Sequence, residues 1–347
     1  MTAPDTHPLV SIQIVVRNGR RFLRHCLDAV RTQTYPAIEV IVLDNASDDG
    51  TADIVATDYP EFYLIRGTQN LGMWPGQELL LTHTHGEYVL ALSIDIVLDP
   101  HFIARAVAAC RRDASIAAVQ GKTYQYDIAA LEREPESALR RDIIDTCGFG
   151  MTRARKVLNV GHGQQDGPRY AHTHAIFGVE GAAPFFRRSA LEQCRINGLL
   201  TDPDYFWYGD DLDLAWRMTL FGHRQVFVPD VVAWHDRSTT KGTAGGLWSH
   251  LGRLHIRHAI PLFKRRLDWS NVRFTIIKND YIMNLLRDAP WLVAREIATF
   301  CYALVFEPGT LLEARRFFAL LPRMIRRRRE IMRRAVLTPP AMHQWFT

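Results

Sequence analysis

VSIQIVVRNGRRFLRHCLDAVRTQTYPAIEVIVLDNASDDGT, residues 10–51, is the stretch whose reading decides the fold. Val10–Val16 and Ile38–Asp44 are near-continuous apolar runs, the pattern of strands buried on both faces. Between them Arg17-Asn18-Gly19 makes a turn, and an amphipathic helix runs to about Gln33. The same alternation continues downstream. Phe62–Ile65, Tyr88–Ile94 and Ile116–Gln120 read as strands, and Met73–His83 and Pro100–Arg112 as helices. Strands alternating with helices predict an α/β fold with a mainly parallel sheet covered on both faces. Ligands of such sheets bind beyond the carboxyl ends of the strands. That rule selects Arg17-Asn18-Gly19, Asp44-Asn45 and Ser93-Ile94-Asp95. No Gly-rich loop follows the first strand, which argues against a dinucleotide or P-loop site.

A chain of 347 residues accommodates a large α/β domain, expected over 8–240, and a helical extension over 241–347. Cys26, Cys110, Cys147, Cys194 and Cys301 are scattered and form no CxxC, which fits a reducing compartment and no structural zinc. The HxH pairs His83/His85 and His172/His174 have no partners at zinc-site spacing. The opening MTAPDTHP has no apolar core and is not a signal peptide. Ala289–Phe306 is interrupted by Arg295 and Glu296 and reads as a poor membrane span, so a cytoplasmic location is expected. The net charge is only +5, yet nine arginines lie between Arg315 and Arg334 against the single Glu330. Such a segment seeks an anionic surface. With no aromatic-interleaved basic groove, a membrane surface is the expected partner and nucleic acid is not. Residues 124–174 lose periodicity and are expected to form a lid over the site. Pro261, Pro290, Pro308 and Pro322 are expected to break the C-terminal helices.

Chemistry concentrates in Tyr205–Leu220, YFWYGDDLDLAWRMTL. Gly209 permits a sharp turn, and Leu212, Ala215, Trp216 and Leu220 follow helical spacing. Leu214 and Met218 lie opposite that stripe, so the helix is expected to be buried on more than one side. Asp210 fits an N-cap, and Asp213 fits either a capping box or an i,i+4 pair with Arg217. Asp211 is left over beside Phe206, Trp207 and Tyr208. It is either a general base or a solvated first-turn acid favoured by the helix dipole. The loop Asp44–Thr51 is a strand-to-helix turn in which Asp48 or Asp49 can cap, leaving Asp44 aimed at the ligand crevice. Asp95 is a crevice carboxylate or a turn acid before Asp99-Pro100. His235 is a packed strand-end histidine or a ligand. In Gly178–Arg188, GVEGAAPFFRR, small residues stand where a backbone must approach something closely.

The acidic pair Asp210-Asp211, one residue, the further acid Asp213, and then Leu214, Trp216 and Arg217 resemble the ED-type motif of GT-A glycosyltransferases of family 2. Within that family the resemblance is to the rhamnosyltransferase-like branch of bacterial surface-polysaccharide synthesis. It covers about residues 8–240 and implies a GT-A fold: a mixed, mainly parallel sheet with a helical C-terminal extension. It assigns Asp211 as the base, with Asp210 and Asp213 beside it. Asp44, Asn45 and Asp49 match the stretch that holds the nucleoside. Val16-Arg17-Asn18 and Asn70-Leu71-Gly72 match its neighbours. Ser93-Ile94-Asp95 stands where the family has a DxD-type metal motif, with Ser93 in place of the first acid. The resemblance adds His235 to Asp95 as a ligand for Mg or Mn, and Gly181 and Ala182 to the sugar pocket, in which Trp207 and Arg217 are also expected. The implied activity is an inverting transfer from a nucleoside-diphosphate sugar to a glycan or polyprenyl-diphosphate-linked acceptor, on the inner face of the membrane. A nucleotidyltransferase and a catalytically silent nucleotide-sugar-binding protein are the alternatives.

Overall fold

The computed structural model describes residues 7–134, 138–236, 257–258 and 260–347. Residues 1–6 and the domain boundary expected near 240 lie outside the described residues. The two opening apolar runs pair in parallel as β1 (Val10–Val16) and β2 (Ile38–Asp44), with Val16 opposite Asp44. Both strands therefore end at one edge of the sheet. Between them α1 (Arg20–Arg31) buries Leu23, Cys26, Leu27 and Val30 as one stripe. After α2 (Thr51–Asp58), β3 (Tyr63–Arg66) joins β2 in parallel. After α3 (Met73–Leu81), β4 (Tyr88–Leu92) joins β1 from the other side, also in parallel. Next come β5 (Ile96–Leu98), α4 (Phe102–Arg112), β6 (Ile116–Gln125) and α5 (Ile128–Arg133).

The second half completes a ten-stranded mixed sheet of order β10-β12-β6-β11-β4-β1-β2-β3, with β5 on β12 and β7 on β6. Its strands are β7 (Ile144–Thr146), β10 (His174–Ala175), β11 (Phe185–Arg187) and β12 (Arg224–His235), while β8 (Phe149–Met151) and β9 (Val157–Asn159) form a separate hairpin. β11 runs antiparallel between β4 and β6, whereas β12 runs parallel to β6. β12 carries a register irregularity between Val228 and Val232 that accommodates Pro229. The lid expected over 124–174 is corrected. Ile144, Asp145, Thr146 and Cys147 are buried, and β7 pairs with β6. Three-residue strands carry too few positions to show a period, so this part of the core looks irregular in sequence.

α6 (Arg188–Gln193) and α7 (Asp210–Leu220) precede β12, and α7 is buried at almost every position. The C-terminal helices are α8 (Leu262–Asn279), α9 (Ile282–Arg287), α10 (Ala289–Phe306), α11 (Pro308–Leu311), α12 (Glu313–Arg334) and α13 (Pro339–His343). Pro261, Pro290 and Pro308 stand at helix starts, where a missing N–H costs nothing. Pro322 does not break its helix: α12 continues through it. Both Pro322 and Phe318, whose carbonyl loses its partner, are exposed to solvent.

Buried ion pairs dock α8 and its neighbours. Lys278 Nζ lies 2.7 Å from Asp202 and 3.0 Å from Asp213. Asp213 also accepts from Arg217 at 2.9 Å and from Asn279 at 2.6 Å. Arg155 lies 2.7 Å from both Asp280 and Asp288. The arginine-rich α12 is wired inward as well. Arg327 bonds Asp202 and Asp204, Arg328 the Ile277 carbonyl, and Arg334 the Gln193 and Arg195 carbonyls. Only part of the basic run is therefore left to meet an outside surface. Removing one partner of a buried pair strands the other. Lys278→Met is expected to cost about 3–5 kcal/mol, read as a lowered urea midpoint; an unchanged midpoint would show that these carboxylates find other partners.

Candidate active site

Asp95, Asp211 and His235, far apart in sequence, line one cavity of about 370 Å³. Asp95 follows β4, His235 ends β12 and Asp211 stands in the first turn of α7. The turn before α7 is unusual: Phe206 and Tyr208 have φ of 61° and Gly209 has 83°. Left-handed aromatic residues persist only where the surroundings over-determine them. Here Asn271 of α8 does so, its Nδ2 donating to the carbonyls of Tyr205, Trp207 and Tyr208 at 3.1, 2.7 and 2.8 Å. The result presents Trp207 and Tyr208 to the cavity beside Asp211. On the other side Gly181 is pressed against Asp211, since a Cβ there would lie 2.7 Å from Asp211 Oδ2. Gly181 and Ala182 line the cavity.

The helix start differs from the expected capping. Gly209 is the N-cap and Asp210 lies one residue inside, with no side-chain cap bond. Asp210 lines the cavity, is buried, and has one oxygen without a hydrogen-bond partner. Burial, then the neighbouring charges of Asp211 and Asp213, hold its pKa well above the usual carboxylate range despite Lys278 nearby. Asp213 and Arg217 are corrections. Both are buried in the ion-pair network and neither faces the cavity, because an i,i+4 pair takes them to the α8 side of α7.

Around Asp95 the charges are arranged tightly. Asp95 Oδ2 lies 3.3 Å from His235 Nε2, and His235 Nδ1 lies 2.8 Å from Asp145 Oδ2. Ser93 Oγ donates to Asp95 Oδ1 at 2.6 Å, so the residue in the place of a first acid orients the second. Burial lowers the His235 pKa, but Asp95 and the hydrogen bonds with both carboxylates outweigh it and hold it at about 10. Burial raises Asp95, and the His235 charge with the hydrogen bonds to His235 and Ser93 carries it below the ordinary value. Asp95 Oδ2 and His235 Nε2 thus face each other, a carboxylate oxygen and an imidazole nitrogen of the kinds that hold divalent cations once the nitrogen is unprotonated. Among the described residues no group of three or more His, Cys, Asp or Glu could hold a metal ion. A cation held by this pair would need its other ligands from outside the protein.

The expected nucleotide residues lie at the adjoining strand ends. Asp44 is buried and accepts from Ser47 N, while its Oδ1 has no partner, leaving an acceptor for a ligand. Arg17 and Asn18 are exposed after Val16, and Asn18 Oδ1 accepts from Asp48 N. Asn45 is corrected: both its amide protons go to Asn70 Oδ1 and the Gly72 carbonyl, and its oxygen accepts from Leu71 N. It holds the 70–72 loop in place. Asn70 is spent in the same clasp, also accepting from Gly72 N. Asp49 is corrected likewise, its carboxylate accepting from Arg20 N and Thr51. Gly72 at φ 91° touches the Phe206 carbonyl, so the 70–72 loop and the aromatic turn meet. Ile94 packs towards Gly19, where a Cβ would lie 3.2 Å from it.

Four residues of the site escaped the sequence reading. Asp145 lies in the aperiodic segment, and Glu180 stands between small residues of the pocket wall, accepting from Ala182 N. Asn271 and Lys264 come from α8. Lys264 lines the cavity, stacks 3.8 Å over the Trp207 ring and has its pKa lowered by burial. Only the GVEGAAP pattern, with one acid among small residues, carried a usable signal.

The family model described as "Glycosyl transferase family 2" matches residues 11–193. Over short segments the chain is similar to an uncharacterized glycosyltransferase of Rickettsia felis (34% identical, 29% of this chain and 17% of the other). It is similar to glycosyltransferase AglE of Haloferax volcanii (31% identical, 30% and 36%) and to chondroitin synthase of Escherichia coli (28%, 32% and 17%). The chain thus spans 17–36% of the length of these relatives. Among solved structures it is similar to mannosyltransferase PcManGT of Pyrobaculum calidifontis with GDP-Man and Mn2+, at TM-score 0.52 and 19% identity, covering 95% of this chain and 87% of that one. It is also similar to GalNAc-T7 with UDP, GalNAc and Mn2+, at TM-score 0.53 and 13% identity, covering 79% and 51%. At such identities the likeness is one of fold.

An acid whose folded pKa is raised contributes stability at low pH that is lost as pH climbs above its unfolded value near 4. Asp210→Asn is therefore expected to raise the melting temperature at pH 8 and to have least effect at pH 4. A lowered melting temperature at pH 8 would mean that Asp210 is ionised and paired.

Proposed function

Because the chain belongs to glycosyl transferase family 2 and has the GT-A fold, we propose that it is an inverting glycosyltransferase. It moves a sugar from a nucleoside diphosphate to an acceptor hydroxyl in cell-surface polysaccharide synthesis. The observation that carries this reading is the meeting of Asp95, Asp211 and His235 on one cavity at the carboxyl ends of the strands. In the proposed step the acceptor oxygen attacks the anomeric carbon and forms the new C–O bond. The bond from that carbon to the diphosphate oxygen breaks with its electron pair, and the acceptor proton passes to Asp211. Attack from the face opposite the leaving group inverts the anomeric centre.

Asp95 and His235 are the residues that would hold Mg or Mn. Such a cation neutralises the charge that develops on the leaving diphosphate. Asp145 fixes the imidazole through Nδ1 and so keeps Nε2 turned to the cavity. Lys264, in its half-buried place on Trp207, supplies a second positive charge to the same cavity. Asp44 receives the nucleoside, and Trp207 with Gly181 and Ala182 walls the sugar pocket. PcManGT and GalNAc-T7 were solved with nucleotide ligands and Mn2+, which supports a nucleotide-sugar donor here. By resemblance of its acidic motif, a rhamnose donor is the first to test, with a glycan or polyprenyl-diphosphate-linked acceptor at the inner face of the membrane.

Asp211→Asn is expected to lower turnover by roughly 10²–10⁴-fold. Nucleoside-diphosphate binding by calorimetry should survive the change; near-normal turnover would remove Asp211 from this role. The released product separates reaction classes, since sugar transfer releases the nucleoside diphosphate. Pyrophosphate release would mean attack at phosphorus, and the chain would be a nucleotidyltransferase.

A further inference from the structure

α10 is an 18-residue helix of mean hydropathy 1.3, and only Ala303 along it is buried. Trp291, Val293, Ile297, Phe300, Leu304 and Val305 are between 55% and 67% exposed. On the preceding α9, Ile282, Met283 and Leu286 are exposed to the same degree or more. Contiguous apolar surface on this scale marks an interaction site. The polar residues of α10 lie on the other side and hold it to the protein. Glu296 accepts from Arg273 of α8 at 2.6 Å, and Arg295 donates to the Ala154 carbonyl at 2.8 Å.

Three observations select the occupant. The first is the charge. No acid is among the exposed residues of α9, α10 or α12: Asp288, Glu307 and Glu313 are buried, and Glu296 and Glu330 are ion-paired. The exposed polar residues are arginines. Arg287 stands beside Leu286, and Arg315, Arg326 and Arg329 share the outer stripe of α12 with Phe318 and Ile325. An apolar face with Arg287 beside it and arginines on the outer stripe of α12, with no carboxylate left unpaired on these helices, complements an anionic lipid surface. The second is the anchoring. At 1.5 Å per residue α10 is about 27 Å long, enough to cross a bilayer's hydrocarbon core. Crossing would tear Arg295 and Glu296 from their partners and carry both into lipid, so the helix lies along the surface. The third is continuity with the cavity. Phe306 at the end of α10 accepts through its carbonyl from His258. Gly309, three residues on, lies against Leu262 at the start of α8. Exposed Leu262 and Phe263 lead directly to Lys264 on the cavity wall.

We infer that the outer face of α9 and α10, together with the exposed arginines of α9 and α12, seats the protein in the plane of an anionic bilayer. It sets the cavity mouth at the lipid surface, where a lipid-linked acceptor presents its headgroup. This deepens the membrane-side placement proposed above by naming the surface that makes it. It replaces the basic run as a whole with three of its arginines and an apolar helix pair.

The test is flotation of the full chain with phosphatidylcholine vesicles, alone or with about 30% phosphatidylglycerol. Wild type is expected to float with the anionic vesicles. Ile297→Glu/Phe300→Glu should lose roughly tenfold or more of that binding, and Arg315→Gln/Arg326→Gln/Arg329→Gln should lose the preference for anionic lipid. Both variants should keep wild-type melting temperatures and nucleoside-diphosphate binding, neither of which involves the vesicles. Binding equal to wild type by the apolar variant overturns the inference. So does a wild type that ignores both vesicles; if it then sediments as a dimer that the apolar variant dissolves, the face meets a second copy. Nucleotide binding is read separately, so failure of the glycosyltransferase reading is distinguishable from failure of the seat.

Discussion

The structure depends on a buried cluster of charge between α7 and α8. Asp213 receives Lys278, Arg217 and Asn279 at once, and Lys278 reaches on to Asp202. Such a cluster is a poor source of net stability, because desolvating each ion costs about as much as the pairing returns. What it gains is a defined seat, since any other register of α8 on α7 would strand several buried ions. About two helical turns before that clasp on α8, Asn271 reads the carbonyls of the aromatic turn. The geometry that turns Trp207 and Asp211 to the cavity is thus imposed by a helix outside the α/β sheet. The C-terminal helices are part of the site's construction as well as its surroundings.

A second arrangement governs the opposite wall. Asp145, His235 and Asp95 form a line in which the imidazole is clasped from both nitrogens. Asp145 is fully buried while Asp95 opens to the cavity, so the two carboxylates are not equivalent. The inner one fixes the ring, and the outer one shares with it a point where positive charge is favoured. Ser93 belongs to the same logic. A hydroxyl 2.6 Å from Asp95 holds its carboxylate without adding a second negative charge. A Ser in that place lowers the charge of the site and preserves its aim.

Much of this architecture was legible because its signals are local. The runs at Val10–Val16 and Ile38–Asp44 read as buried strands, and pairing them in parallel brings Val16 and Asp44 to one edge. Asp211 stood out by elimination, although the elimination used the wrong cap: Gly209 starts the helix, and Asp213 is taken by Lys278, a partner 65 residues away. Asn45 and Asp49 show the reverse difficulty. Their side chains look available in sequence, and only the folded loop reveals that Leu71, Gly72, Arg20 and Thr51 consume them. Asp145, Asn271 and Lys264 were invisible for one reason: each acts through a contact made by tertiary packing, which no spacing rule encodes.

The arginine-rich end carries the same lesson in terms of charge. Read as composition, nine arginines in one segment form a single basic patch facing outward. Folded, they divide by helical phase. Arg316, Arg327, Arg328 and Arg334 turn in to carbonyls and carboxylates of the core. Arg315, Arg326 and Arg329 remain on the outer stripe with Phe318 and Ile325. A guanidinium serves both purposes because its planar donors saturate carbonyl groups indoors and meet phosphate outdoors. Net charge therefore overstates how strongly this end is drawn to an anionic surface. The phase of the arginines along α12, set against the unbroken apolar face of α10, is what gives that attraction a direction.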